Sequence, residues 1–436
     1  MKRSRKVIFL ALVAVFLGFG IVNFDSWRIS RKLAIARSAL QARDSNKAIN
    51  ALLEAARLDS SHGEVQLLMA RAYRRQGELQ NVRRALEKAA RNGIALHRIR
   101  REEWLAMAQS GQMRDAAPHL RELLVNPVDD GPEICEAFVN GYFLTYQLGD
   151  AFRILDAWEK DFPQDPQPLV FRAAFSAKTD SWTAAAGYLR QAIALAPQRN
   201  DIQRDLASAL LNLRETAEAA KLFQLLLNTY PQDPELLVGW VQILLERGEI
   251  DEARSILKRV LRSHPQNFLA LRTLGQLELT DGQFAEAAQY LKMAVTLKSY
   301  DTEVRYALGT ALQKMQRPSE AREQFDIVAK TQEALQRIDQ LINRVRVKND
   351  DLAARFEISE LLRESGEPRE RFLWLRSIVI LDPDHQAAHM ELAKCYTDLG
   401  NAEESAKHSR LASQIPATAD DPIVRVPQKT RNAIQN

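Results

Sequence analysis

A unit of 34 residues recurs along most of this chain, and no other feature restricts its fold as much. The stretch 267–301 shows the unit most clearly. Leu271, Leu274 and Gly275 fall at helical spacing, followed by Leu277 and Leu279. The turn Thr280-Asp281-Gly282 comes next. Phe284, Ala287, Ala288, Leu291, Ala294 and Val295 then mark a second helix. Neither helix can bury its apolar stripe alone, so each unit needs a neighbouring copy of itself. The core of such a chain grows along one axis, and 436 residues do not have to divide into several globular domains.

The frame runs through the chain with uneven clarity. From Gly63 it takes in Ala70, Tyr73, Gly77, Leu86 and Ala89. From His97 it is looser, with Trp104, Met107 and Gly111 in place. Residues 131–165 are irregular, with a turn at Gly149-Asp150. From Pro166 the rhythm is regular again, and Pro197, Pro231, Pro265 and Pro383 fall where second helices end. Residues 336–351 interrupt it. Ile338, Leu341, Ile342 and Val345 within them keep helical spacing, which predicts an extended or additional helix. The period returns over 352–419, and 420–436 read as a disordered tail.

Two of these units carry a family pattern. Leu206, Ala207 and Leu210 with Ala219, Phe223 and Pro231 form one set; Leu392, Ala393, Tyr396 and Gly400 form part of another. The chain resembles the tetratricopeptide repeat family over residues 29–419, and in particular bacterial membrane-anchored scaffold proteins of that family. The resemblance implies an all-α fold, a right-handed superhelical solenoid of about eleven helix-turn-helix units. The array would occupy 29–335, with a helical insertion at 336–351 and further units over 352–419. Its concave face would be lined mainly by the first helix of each repeat and would bind proteins or peptides.

The amino terminus adds a second constraint. Lys2, Arg3, Arg5 and Lys6 form a basic flank, 1–6, before the uncharged run 7–24, VIFLALVAVFLGFGIVNF. A helix of that length spans roughly 27 Å, close to the hydrocarbon thickness of a bilayer. The run reads as a transmembrane helix ahead of the solenoid, with a cleaved signal peptide as the alternative; Gly18-Phe19-Gly20 is a poor cleavage site. The positive flank places the amino end in the cytoplasm; together with the resemblance to bacterial membrane-anchored scaffolds this implies a single-pass protein of a bacterial inner membrane with its repeats on the periplasmic side.

Charge points to a candidate site. Residues 1–130 hold 23 Lys and Arg against 13 Asp and Glu, whereas the whole chain nets only +4. In the family frame Arg37, Arg71, Arg74, Arg75, Arg98 and Arg101 fall on groove-facing positions. Guanidinium groups clustered there suit an acidic peptide through bidentate hydrogen bonds. Solvated charge and contact with anionic lipid are the other readings of the same residues.

Other chemistry finds little support. The two cysteines, Cys135 and Cys395, make no CxxC pair. His385 and His389 lie four apart, but His385 sits at a repeat junction just after Pro383, so no metal is expected there. No GxSxG, GxxxxGK[ST] or GxGxxG motif occurs, and basic and aromatic residues do not alternate. The sequence therefore predicts no enzyme, no cofactor, no metal and no nucleic-acid partner. It predicts a membrane-anchored scaffold for proteins or peptides. An accessory subunit of an envelope enzyme, or a secreted binder released by cleavage, are the alternatives.

Overall fold

A bend into the left-handed backbone region recurs with the sequence period and builds the fold. Positive φ occurs at Arg43 (63°), Gly77 (77°), Gly111 (82°), Tyr146 (57°), Asp180 (54°), Arg214 (59°), Gly248 (77°), Gly282 (77°), Gln316 (60°) and Gly400 (70°). Each ends the first helix of a hairpin. The amide beyond the bend reaches back to that helix, as in Gln283 N to Glu278 O (2.8 Å) and Glu249 N to Leu244 O (2.9 Å). This satisfies carbonyls the helix end would leave orphaned. The frame therefore persists at Tyr146, inside the stretch where the side-chain pattern fades.

The computed structural model describes residues 25–125, 127 and 130–415, and they are helical with no strand among them. They fall into two compact units, Met1–Ile154 and Leu155–Asn436. In the first, α1 covers 25–41, followed by α2 Ser45–Leu58, α3 Gly63–Gln76, α4 Leu79–Arg91, α5 Leu96–Gln109, α6 Met113–Ala116, α7 Leu120–Val125 and α8 Gly131–Leu144. The division falls within α9, Leu148–Asp161. The second unit continues with α10 Gln167–Lys178, α11 Trp182–Leu195, α12 Asn200–Asn212, α13 Thr216–Thr229, α14 Pro234–Glu246, α15 Ile250–Ser263, α16 Phe268–Thr280 and α17 Phe284–Leu297. It ends with α18 Thr302–Lys314, α19 Pro318–Val347, α20 Leu352–Ser365, α21 Pro368–Leu381, α22 Gln386–Asp398 and α23 Ala402–Gln414.

The expected anchor 7–24, its flank 1–6 and the tail 420–436 lie outside the described residues. Among the described residues no helix is long and apolar enough to cross a membrane. The residues 336–351 resolve into continuation rather than addition. The helix α19 runs unbroken for 30 residues, against 14 for α15 and α17.

Packing within hairpins pairs a small residue with a large one. A Cβ on Gly275 would lie 2.6 Å from Leu291 Cγ, and one on Gly309 would lie 2.7 Å from the Phe325 ring. Absence of a side chain there lets the two helix axes approach. Asp233, Asn267, Asp301 and Asp351 start first helices by accepting amide hydrogens from residues two or three further on. Apolar clusters then follow the chain in sequence, each joining adjacent hairpins. In the second unit the array curves far enough to bring Lys178 Nζ within 3.6 Å of the Glu370 carboxylate.

The third hairpin departs from this plan. Its second helix is broken into α6, a 3₁₀ turn at Ala117–His119, and α7. Pro118, which lacks an amide, lies in the break.

Two glycines should respond differently to substitution. At Gly248 nothing lies within 4 Å of an added Cβ, so Gly248→Ala should cost about 1 kcal/mol through backbone strain alone. At Gly141 an added Cβ would lie 2.2 Å from the Ala108 carbonyl oxygen, so Gly141→Ala should cost about 3 kcal/mol. Hydrogen exchange resolved by segment should show the second loss in the first unit and the first loss around α14 and α15.

Candidate functional site

The basic cluster singled out by sequence is brought together in the first unit, but it is met by acidic groups of the same chain. Arg71 donates to Glu102 Oε1 (2.9 Å) and, through both terminal nitrogens, to Asp130 (3.0 and 2.9 Å). Arg74 donates to Glu102 Oε2 (3.2 Å), Gln109 Oε1 (2.7 Å) and Glu133 Oε2 (2.7 Å). Arg75 donates to Glu133 and to the Leu40 carbonyl. Arg37 and Arg98 share Glu64, at 3.0 and 2.8 Å. Arg101 donates to the Pro127 carbonyl and lies 3.6 Å from Asp130.

These contacts tie α3, α5 and the start of α8 into one network. The Arg74 side chain is 1% exposed and Glu102 2%. Burial alone would raise the Glu133 carboxyl, but the charges of Arg74, Arg75 and Arg71, with the Arg74 hydrogen bond, outweigh it and hold it at about 2. Burial acts on Glu102 in the same sense, and Arg71 and Arg74 again reverse it. The free basic groove expected from the sequence is therefore largely occupied by the chain's own carboxylates. Glu133 and Glu136, from α8, take the place an acidic ligand would need.

The histidine pair is separated in role. His385 caps α22, its Nδ1 accepting from Ala388 N at 3.2 Å. His389 lies on the helix, with Nδ1 2.7 Å from His408 Nδ1 and Nε2 2.8 Å from the Pro383 carbonyl.

The second unit holds a cavity of about 430 Å³ that sequence reasoning missed. Gln276 and Leu279 from α16, Tyr306 and Thr310 from α18, and Val328 and Gln332 from α19 line it. Tyr306 is 60% exposed, and its ring leans on Phe325 at 5.4 Å between centroids. Glu303, also in the wall, is 3.7 Å from Arg272.

Three stretches, 33–96, 177–234 and 238–302, match the family model described as tetratricopeptide repeat. Those stretches are tetratricopeptide repeats. Among solved structures the chain is similar to PilW, titled a widely conserved type IV pilus biogenesis factor, at 20% identity over 44% of this chain and 89% of that one, with a TM-score of 0.39. It is similar to YrrB, titled a TPR protein with an unusual peptide-binding site, at 19% identity over 48% and 99%, with a TM-score of 0.23. It is also similar to human IFIT1 with m7Gppp-AAAA, at 15% over 82% and 91%, with a TM-score of 0.41. No curated protein sequence matches the chain.

In the tetratricopeptide frame one cavity residue of α16 and one of α18 share an equivalent position. Gln276 and Thr310 stand 34 residues apart, as do Gln242 and Gln276. That repetition was legible in the sequence. The contribution of Val328 and Gln332 was not, because it depends on the path of α19.

Neutralising one carboxylate should expose how much the first unit depends on its network. Glu133→Gln leaves Arg74 and Arg75 short of a buried counter-charge and should cost about 3–5 kcal/mol at pH 7. With the folded value at about 2 and the ordinary one at 4.5, the stability Glu133 contributes is present above pH 4.5 and lost as pH falls towards 2. Acid titration of the native chain followed by circular dichroism should show that loss, and the variant should lack it.

Proposed function

We propose that this chain is a protein-binding scaffold that holds extended segments of partner proteins on the concave face of its second unit. One observation carries the reading. The first helices α16 and α18, together with the second helix α19, line a cleft of about 430 Å³ with partly exposed side chains. A surface shared between repeats suits a ligand that runs across them. In the first unit the corresponding arginines already have partners, which favours the second unit as the binding half.

We further propose that residues 7–24 cross a membrane, that the repeats stack as a right-handed superhelix on its periplasmic side, and that the scaffold serves envelope assembly. The support is the sequence: an uncharged run of 18 residues behind Lys2, Arg3, Arg5 and Lys6. The role assigned is binding, with no catalytic step in this chain.

Photo-crosslinking in native membranes tests the binding face. A benzoylphenylalanine at Gln276 should capture a discrete partner, whereas one at Lys292, exposed on the second helix α17, should not. Equal capture from both would refute the assignment. The anchor is tested separately. Deleting residues 1–24 should move the protein from the membrane pellet to the soluble fraction, and amino-terminal sequencing of the intact protein should return Met1 rather than a residue beyond 20.

A further inference from the structure

We propose that one edge of the first unit, where α1, α3 and α5 start and α2, α4 and α7 end, lies flat on a bilayer surface of anionic lipid. The inference rests on the proposed crossing at 7–24 and adds the surface by which the first repeats meet that membrane.

Antiparallel hairpins bring these helix ends together, because the second helix of each hairpin ends beside the start of the first. Contacts along the row follow. Glu64, second in α3, accepts from Arg37 of α1 at 3.0 Å and from Arg98 of α5 at 2.8 Å. A Cβ on Gly63 would lie 2.7 Å from the carbonyl oxygen of Asn92, the residue after α4. The first helix, α1, is helical from Asp25, directly after Phe24, so Trp27 stands three residues past the apolar run. Three residues of helix rise about 4.5 Å, less than the roughly 5–7 Å depth of a headgroup layer. An anchor at 7–24 therefore holds Trp27 among the headgroups, with no linker between the edge and the membrane.

The chemistry of the edge fits that place. Among the described residues of the first unit, the three most exposed large apolar residues are Val125 (68%), Leu96 (60%) and Trp27 (56%), and all three lie on this edge. Indole rings favour the boundary between hydrocarbon and water. The Arg31 guanidinium sits 5.8 Å from the Trp27 ring centroid, which sets a charge beside the ring. Exposed Arg57 and Lys88, near the ends of α2 and α4, add two more positive charges. Acidic groups of the edge are already engaged: Asp25 by Arg28, Asp59 by Ser61, Glu64 by Arg37 and Arg98, and Glu87 by Arg91. Arg31, Arg57 and Lys88 make no ion pair among the described residues, so they leave a positive surplus. The opposite edge, at the hairpin turns, exposes Asp44, Glu78 and Asp115 beside Lys47 and Arg114 and has no such surplus.

Exposed apolar groups interleaved with unpaired cations match an anionic headgroup layer, which accepts both at once. Each basic residue at such a surface favours contact about fivefold. The attraction fades beyond about 8 Å at physiological salt, so Lys88 on α4 contributes only if the edge lies flat rather than standing away from the membrane.

Full-length protein in vesicles tests the orientation. A fluorescent amino acid replaces Leu96 on this edge or Leu79 on the opposite one, and lipids with a spin-labelled headgroup quench it. In phosphatidylcholine containing about a third phosphatidylglycerol, quenching at position 96 should exceed that at position 79 about fivefold, and high salt should shrink the difference. Arg31→Gln, Arg57→Gln and Lys88→Gln together should lower the docked-to-undocked ratio about tenfold or more with unchanged helix content. Lys47→Gln with Arg114→Gln should leave it unchanged. Equal quenching at both positions, or quenching at 96 that is as strong in pure phosphatidylcholine, overturns the proposal while the anchor stands. Alkaline extraction reads the anchor separately: release of the protein refutes the crossing at 7–24, and the quenching pattern still decides the edge.

Discussion

Every hairpin in this protein is insufficient by itself, and the architecture follows from that. Two helices of 13 or 14 residues bury one seam between them and leave apolar groups on their outer faces. Leu271 and Leu274 belong to different clusters, one shared with the following hairpin and one with the preceding hairpin. Stability is then a sum of nearest-neighbour interfaces rather than the property of one core. The left-handed bend matters because it fixes the angle at which each hairpin returns. Where glycine is absent, as at Arg214 and Gln316, the backbone accepts the strain and the packing retains the frame.

The first unit adds a second means of holding neighbours together. Around α6 and α7 the second helix is broken, and the start of α8 is joined to α3 by charge. Arg71, Arg74 and Arg75 reach Asp130 and Glu133, which lie two hairpins further along the chain. Buried ions are costly to desolvate, so the network stabilises only while each charge keeps its partner and its hydrogen bonds. Its value lies in geometry as much as in energy. A guanidinium with five fixed donors accepts few arrangements of carboxylates, and Arg74 uses three side chains from α5 and α8. Beneath these ions, Ile134 and Phe138 of α8 bury fully against Leu105 and Ala108 of α5.

Much of the fold was legible because the period survives degenerate residues. Pro197, Pro231 and Pro265 marked helix ends, and alanine and glycine marked close approaches. The hairpins around 97–165 were hardest to read, since Pro118 breaks a helix there and the bend at Tyr146 lacks glycine. The frame positions of the arginines place Arg71, Arg74, Arg75 and Arg101 around Glu102, Asp130 and Glu133, and Arg37 and Arg98 on Glu64. Their partners were not seen, because Asp130 and Glu133 lie in the stretch where the frame was weakest. The cavity was hidden for another reason. Gln276 and Gln332 are brought together only by the stacking of three helices, and no local pattern encodes that path. The stretch 336–351 drew notice as an interruption, but the helix it prolongs matters for Gln332, which precedes it.

A linear array gives a ligand more leverage than a compact domain would. Each repeat contacts only its neighbours, so a segment lying across α14, α16 and α18 would join two interfaces that otherwise open independently. Binding energy adds to those interfaces as long as the ligand is present. Coupling of this kind is strongest where the intrinsic stacking is least regular. The regular helix length is broken at α19, which runs for 30 residues. A partner segment bound along α18 and α19 would brace the place where the regular rhythm is interrupted. The side chains that recognise a partner would, in the same contacts, fix the register of the array on either side.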